Sequence, residues 1–327
     1  MKRRTSLLAL ALAAMLIAAL PVRTMAQNLI PVRMVALGTG LPFLITSAWK
    51  ELGFDKKHGF ELQVEPTGNL SNQWISLRSG SADLVMGNFL DVLRQHKAGV
   101  KMQAFQFGYN YDDPIVTLAG KPYARLADLK GVPVGVTRTT FLPVLLYRTA
   151  GKKAFGVDFV QEAKILEASP TLLPQMLRTG QVEVTYTLRS LVFEEILQGK
   201  IKEIINLNDI LRQAGWDVAL TLFVVSDAWR EKHGPQAVRK LAAALADLNQ
   251  ALRTQMAGWD AYATLAKIDP KNRAAHREIT RRSLMSNFGP QNLKPMQEIL
   301  DAMNAMAGSD IVGVTKADPA AFDFKSM

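Results

Sequence analysis

Thr137-Arg138-Thr139-Thr140 gathers three hydroxyls and one guanidinium within four residues, after an apolar run and before a helix-like one. Backbone N–H groups at a helix start carry partial positive charge. A carboxylate or sulfonate would meet hydroxyl donors, N–H donors and a cation there together. Arg189, three residues beyond Tyr186, is a second candidate cation. Gly38-Thr39-Gly40-Leu41 also ends a strand-like run and opens a helix-like one, so the N–H groups of Gly40 and Leu41 are candidate ligand donors. The third glycine of a dinucleotide fingerprint would fall at Phe43, which excludes that motif. Asn69 and Asn88 stand at comparable junctions. Phe89, Tyr109, Phe141 and Tyr186 lie beside such junctions and could wall the apolar body of a ligand.

Catalytic chemistry finds less support. The chain has no cysteine, which excludes disulfides, thiolate metal sites, a thiol nucleophile and a lipid-anchored N-terminal cysteine. Its four histidines (His58, His96, His233, His276) show no i, i+4 pair. No G-x-S-x-G elbow, H-E-x-x-H motif or phosphate loop occurs. No catalytic residue, metal or cofactor is therefore expected.

Residues 1–26 read as a cleavable export signal. Lys2, Arg3 and Arg4 precede the apolar run Leu7–Leu20, Pro21 breaks it, and Thr24-Met25-Ala26 offers small residues before a cut at Gln27. The run is shorter than the ~20 residues a membrane-spanning helix needs. Removing the segment takes four basic residues and no acid, so +10 becomes +6 on 301 residues. No basic run of five or more occurs, which argues against nucleic acid as a partner. The full chain is 48% apolar and 21% charged, and its mature part is expected to be folded, soluble, monomeric and periplasmic.

The elements that would position these residues alternate. Strands are expected over Pro31–Leu37, Phe60–Glu65, Asp83–Met86 and Met102–Phe107, separated by helices over Leu41–Leu52, Ser71–Ser79 and Phe89–Ala98. A second series follows, with strands over Pro114–Gly120, Val132–Thr137, Ala163–Glu167, Val182–Tyr186 and Ile201–Ile205. One more strand, Ala219–Val225, leads into a helix-rich end. There Pro235–Met256 and Leu293–Met306 carry apolar residues at three- and four-residue steps. Asp318–Met327 reads as a tail, packed on the surface or frayed. The pattern is α/β, with mostly parallel sheets covered by helices.

Three segments carry a resemblance. Leu77-Arg78-Ser79-Gly80-Ser81-Ala82-Asp83, Asp128-Leu129-Lys130-Gly131-Val132-Pro133-Val134-Gly135-Val136 and Leu177-Arg178-Thr179-Gly180-Gln181-Val182-Glu183 occur in this order. Together they resemble periplasmic solute-binding proteins of the NMT1/THI5-like family, which serves taurine, alkanesulfonates, nitrate and thiamine-precursor pyrimidines. Glu183 replaces the usual Asp, and Tyr186-Thr187-Leu188-Arg189 lacks the proline that many relatives carry. The resemblance implies a two-lobed periplasmic binding protein type II fold, two α/β lobes joined by a two-stranded hinge. Residues 27–112 and 218–327 would form the first lobe and 113–217 the second. It implies a small-molecule ligand held between the lobes and permease subunits of an ABC importer as partners. The alternatives are a binding protein that serves a membrane signalling receptor, or an enzyme of the thiamine-pyrimidine type. Relatives with enzymatic activity use cysteine and histidine, which this chain lacks or holds sparsely.

Overall fold

The computed structural model describes residues 28–254, 257–284 and 288–326. The expected export segment lies outside the described residues. Strand β1 (Ile30–Leu37) is buried at Val32, Met34, Val35 and Ala36 because its neighbours cover both faces. It pairs in parallel with β2 (Phe60–Thr67) and with β3 (Leu84–Asn88). Beyond β3 lies β10 (Thr221–Ser226), antiparallel both to β3 and to β4 (Met102–Tyr109). The order is β2-β1-β3-β10-β4. The second sheet runs β7 (Lys164–Glu167), β6 (Pro133–Val136), β8 (Val184–Tyr186), β5 (Pro114–Leu118), β9 (Ile201–Asn206). In it β6 is parallel to β7 and β8, and β5 is antiparallel to β8 and β9.

The two sheets share a local grammar. Asp83 and Glu183 each open a strand by donating the N–H to a neighbouring strand, at Arg33 O (2.8 Å) and Pro133 O (2.9 Å). Gly80 and Gly180 close the preceding helices at φ near +75°, the left-handed conformation that glycine adopts without strain. Arg78 reaches Gln95 and Arg178 reaches Glu195, seventeen residues on in each case.

Most expected strands and helices are present within a few residues. The expected Pro235–Met256 helix begins earlier, at Asp227, and runs to Thr254 with a break at Gly234 (φ +78°). Pro235 then opens its second part, where the missing N–H costs nothing. Several helices were not expected from the sequence, among them Leu207–Gln213, Ala257–Leu265 and Arg273–Ser283. The tail is packed: Asp323 N–H donates to Ala104 O (2.7 Å), and Phe322 and Phe324 cluster with Phe288. The Leu293–Ala307 helix, expected with the first lobe, packs on the Leu142–Phe155 helix of the second sheet's layer. Glu298 fixes that contact, accepting from Trp216 Nε1 (3.1 Å) and pairing with Lys153 Nζ (3.4 Å). Among the described residues no helix is long and apolar enough to cross a membrane.

Candidate functional site

The chain leaves the first sheet at Tyr109 and enters the second at Pro114, then returns between Asn206 and Thr221. Both crossings join the same ends of the sheets. β4 runs parallel to β3, so Tyr109 lies at the carboxyl ends of β1, β3 and β4. Ile115 pairs with Tyr186, so β5 starts at the carboxyl ends of β6 and β8. The crossings are tied together by Leu220 N–H donating to Asn110 Oδ1 (2.8 Å). Carboxyl ends of strands are where α/β sheets present loops to a ligand.

The structure brings most of the expected residues to these ends and gives several of them structural duties. Gly40 starts its helix at φ +65°. Leu41 is half-buried against the first sheet's core. Asn69 Oδ1 accepts from Ser71 N–H (2.9 Å), and Asn88 Oδ1 accepts from Asp91 N–H (2.8 Å), so both amides cap helices. Phe89 is 0% exposed in the core and does not wall a cleft. Tyr109 is buried, with its ring edge-on to Tyr111 (5.8 Å). Phe141 is half-buried and edge-on to Tyr186 (6.3 Å). Tyr186, 1% exposed, donates its hydroxyl to Asp113 Oδ2 (3.2 Å), and burial holds that phenol well above its ordinary pKa.

The anion-site expectation at Thr137–Thr140 meets a competitor. Thr139 N–H donates to Glu167 Oε1 (2.8 Å), so one of the loop's own donors already holds a carboxylate. Arg138 and Thr140 are exposed, and Thr137 is half-buried. Arg189 is not an available cation. Its Nε lies 2.9 Å from Asp112 Oδ2 and donates to Asp112 O (2.8 Å), while Nη1 lies 2.8 Å from Glu203. Its N–H also donates to Asp113 Oδ1 (3.2 Å). Arg189 thereby locks the first crossing onto the second sheet. The sequence could not show this, because Asp112 and Glu203 are distant from it along the chain.

An aromatic row beside the crossings leaves no mark in the sequence. Phe193, beyond β8, packs its ring at a tilt against His276 (4.0 Å), and Tyr262 lies near both His276 (6.5 Å) and Phe43 (6.2 Å). Asn272 donates to Glu194 beside it. The Arg273–Ser283 helix thus meets the second sheet's loops through His276, and Tyr262 of the Ala257–Leu265 helix continues the aromatic row to Phe43 of the Gly40–Glu51 helix. Its end is fixed at the crossing, where Asn110 N–H donates to Ser283 O (2.7 Å). Burial and the nearby Arg189 push the His276 imidazole down to about 4, so it is neutral at physiological pH. Trp74 lies over Gly87 near the end of β3; a Cβ at Gly87 would come within 2.3 Å of the indole. Among the described residues no cluster of three or more His, Asp or Glu could hold a metal ion.

The crossing is electrostatically strained. Burial pushes the Asp112 carboxyl up to about 7 despite the opposing effect of Arg189, and Glu203, Asp113 and Asp209 add to the rise. Burial also raises Asp113. A carboxyl whose folded pKa exceeds its unfolded value holds more protons when folded, so its ionisation weakens the fold as pH rises from about 4 to about 7. Asp112→Asn should remove this slope. Melting midpoints of the variant should fall by a few degrees less than wild type between pH 5 and 7.5. Parallel curves for the two proteins would contradict the assignment.

Comparison with known proteins agrees with this layout. No curated protein matches the sequence. The periplasmic aliphatic sulphonate binding protein SsuA of Escherichia coli superposes with a TM-score of 0.70 at 14% identity, covering 88% of this chain and 90% of that one. The alkanesulfonate-binding protein SsuA of Xanthomonas axonopodis pv. citri, solved bound to MOPS, gives 0.68 at 14%, covering 90% and 98%. The periplasmic sulfonate-binding protein SsuA of Methylobacillus flagellatus gives 0.66 at 16%, covering 90% and 91%. These likenesses establish the periplasmic binding protein fold with its two α/β lobes. Residues 45–253 match the family model described as NMT1/THI5 like, so the chain belongs to the NMT1/THI5-like family.

Proposed function

We propose that this protein is exported, captures a small organic solute between its two lobes, and delivers it to a membrane importer. The observation that carries the reading is the meeting of the carboxyl ends of both sheets at two adjacent crossings. That layout lets the lobes close on a ligand by small rotations in residues 110–113 and 214–220. The lobes would comprise residues 27–112 with the return from 218, and 113–217. Sulfonate-binding relatives with the same fold support a sulfonate or carboxylate as the ligand's polar group. Phe141, Tyr109, Tyr111 and the Phe193–His276 pair suit an apolar or aromatic body. The role is binding rather than catalysis, in keeping with a family and neighbours that are mostly binding proteins.

The test is a thermal-shift panel on residues 27–327, unfolded and refolded to strip co-purified solute. MOPS, pentanesulfonate, benzoate and nitrate represent the classes. A bound solute at a hundred times its Kd adds about 2.7 kcal/mol, a rise of several degrees. Cooperative melting with no rise for any class would count against capture of an organic anion.

A further inference from the structure

We propose that the hydroxyls of Thr137 and Thr187 form the subsite that takes the oxygen atoms of the captured solute, an inference that rests on the capture function above. β6 and β8 are parallel neighbours, with Val134 beside Val184 and Gly135 beside Thr185. Continued past the strand ends, that register sets Thr137 beside Thr187. Both hydroxyls are buried, and neither has a hydrogen-bond partner among the described residues. Thr187 is 0% exposed and abuts the first crossing, where its N–H donates to Pro114 O (3.1 Å).

Thr221 at the second crossing is also unpaired, but the threonines inside the strands of the second sheet are satisfied. Thr117 donates to Glu183 O (2.8 Å) and Thr185 to Gly135 O (3.0 Å). A buried hydroxyl without a partner lowers stability, so unpaired groups call for a reason. Adjacent strands lie about 4.8 Å apart, which lets two such hydroxyls donate to two oxygens of one carboxylate or sulfonate.

The surroundings favour recognition through neutral donors. The Arg189 guanidinium is engaged by Asp112 and Glu203, and Arg138 stands exposed outside the buried pair. Binding carried by Arg138 would weaken markedly as salt rises, whereas binding carried by buried hydroxyls would change little.

Thr137→Val and Thr187→Val keep shape and remove the hydroxyl. Each variant should melt no lower than wild type, because an unpaired polar group is replaced by a methyl. In calorimetric titrations with MOPS, pentanesulfonate and benzoate, each should lose about tenfold or more in affinity for whichever solute wild type binds. Thr187→Ser should retain most of it, and wild-type affinity should hold between low and high salt. Wild-type affinity in both valine variants would overturn the proposal while leaving the capture function standing. If wild type binds none of the three, the capture function is what fails, and the subsite that rests on it falls with it. A lowered melting midpoint in both valine variants would make the hydroxyls structural and overturn the proposal by itself.

Discussion

Arg189→Met should lower the unfolding free energy by about 3–5 kcal/mol, the usual result of stripping one partner from a buried ion pair. The side chain is 13% exposed and faces Asp112 and Glu203 together. Methionine would leave two carboxylates in a half-dry junction with no counter-charge. The loss should depend on pH. Asp112 is already raised to about 7 with the guanidinium present, so without it the carboxyl should take up a proton more readily still. Urea unfolding at pH 8 should therefore show the larger loss, and at pH 5.5 the smaller. Equal losses at both would mean that the guanidinium acts by packing alone. Since Arg189 binds the first crossing to the second sheet, the same variant should also weaken solute capture.

Asp158→Ala should cost a similar 3–5 kcal/mol. Arg148 and Asp158 are 11% and 4% exposed and form a two-pronged pair, Nε to Oδ1 at 3.1 Å and Nη2 to Oδ2 at 2.9 Å. Asp158 Oδ1 also caps Val160 N–H (3.2 Å). Alanine leaves Arg148 charged, buried and unpaired, and removes the cap. The double replacement Arg148→Met with Asp158→Leu should recover most of the loss, because no charge then remains to be desolvated. A double variant as unstable as the single one would contradict this and place the effect in the cap and local packing.

The sequence made the fold legible where periodicity was strong. Continuous apolar character in Val132–Thr137 marked a buried strand, Ala219–Val225 read as one more, and Leu-Arg-x-Gly before Asp83 and Glu183 marked the helix-to-strand turns. The position of β10 between β3 and β4 was not legible, because antiparallel insertion leaves no local trace. The Arg273–Ser283 helix was also hidden. It buries only Ser283 fully, and it is held by a tilted histidine–phenylalanine contact and end contacts rather than by an apolar stripe.

The candidate site was legible as a place and less so as chemistry. Reading strand ends found Thr137, Phe141, Tyr186 and Tyr109, all of which lie near the crossings. Residue type alone could not tell a ligand group from a structural one. Asn69 and Asn88 look like ligand amides but cap helices, and Arg189 looks like an anion receptor but is held by two acids. Such duties depend on partners brought close by the fold. Thr187 stands in sequence as one more strand-end candidate beside Tyr186 and Arg189, and the lack of a partner for its hydroxyl appears only in three dimensions.

The most direct test of capture is native mass spectrometry of refolded residues 27–327, incubated with pooled MOPS, pentanesulfonate, benzoate and nitrate. A one-to-one adduct with the mass of one organic anion is expected, reduced in Thr137→Val and Thr187→Val. A spectrum of the bare chain at every concentration, from protein that melts cooperatively, would contradict it.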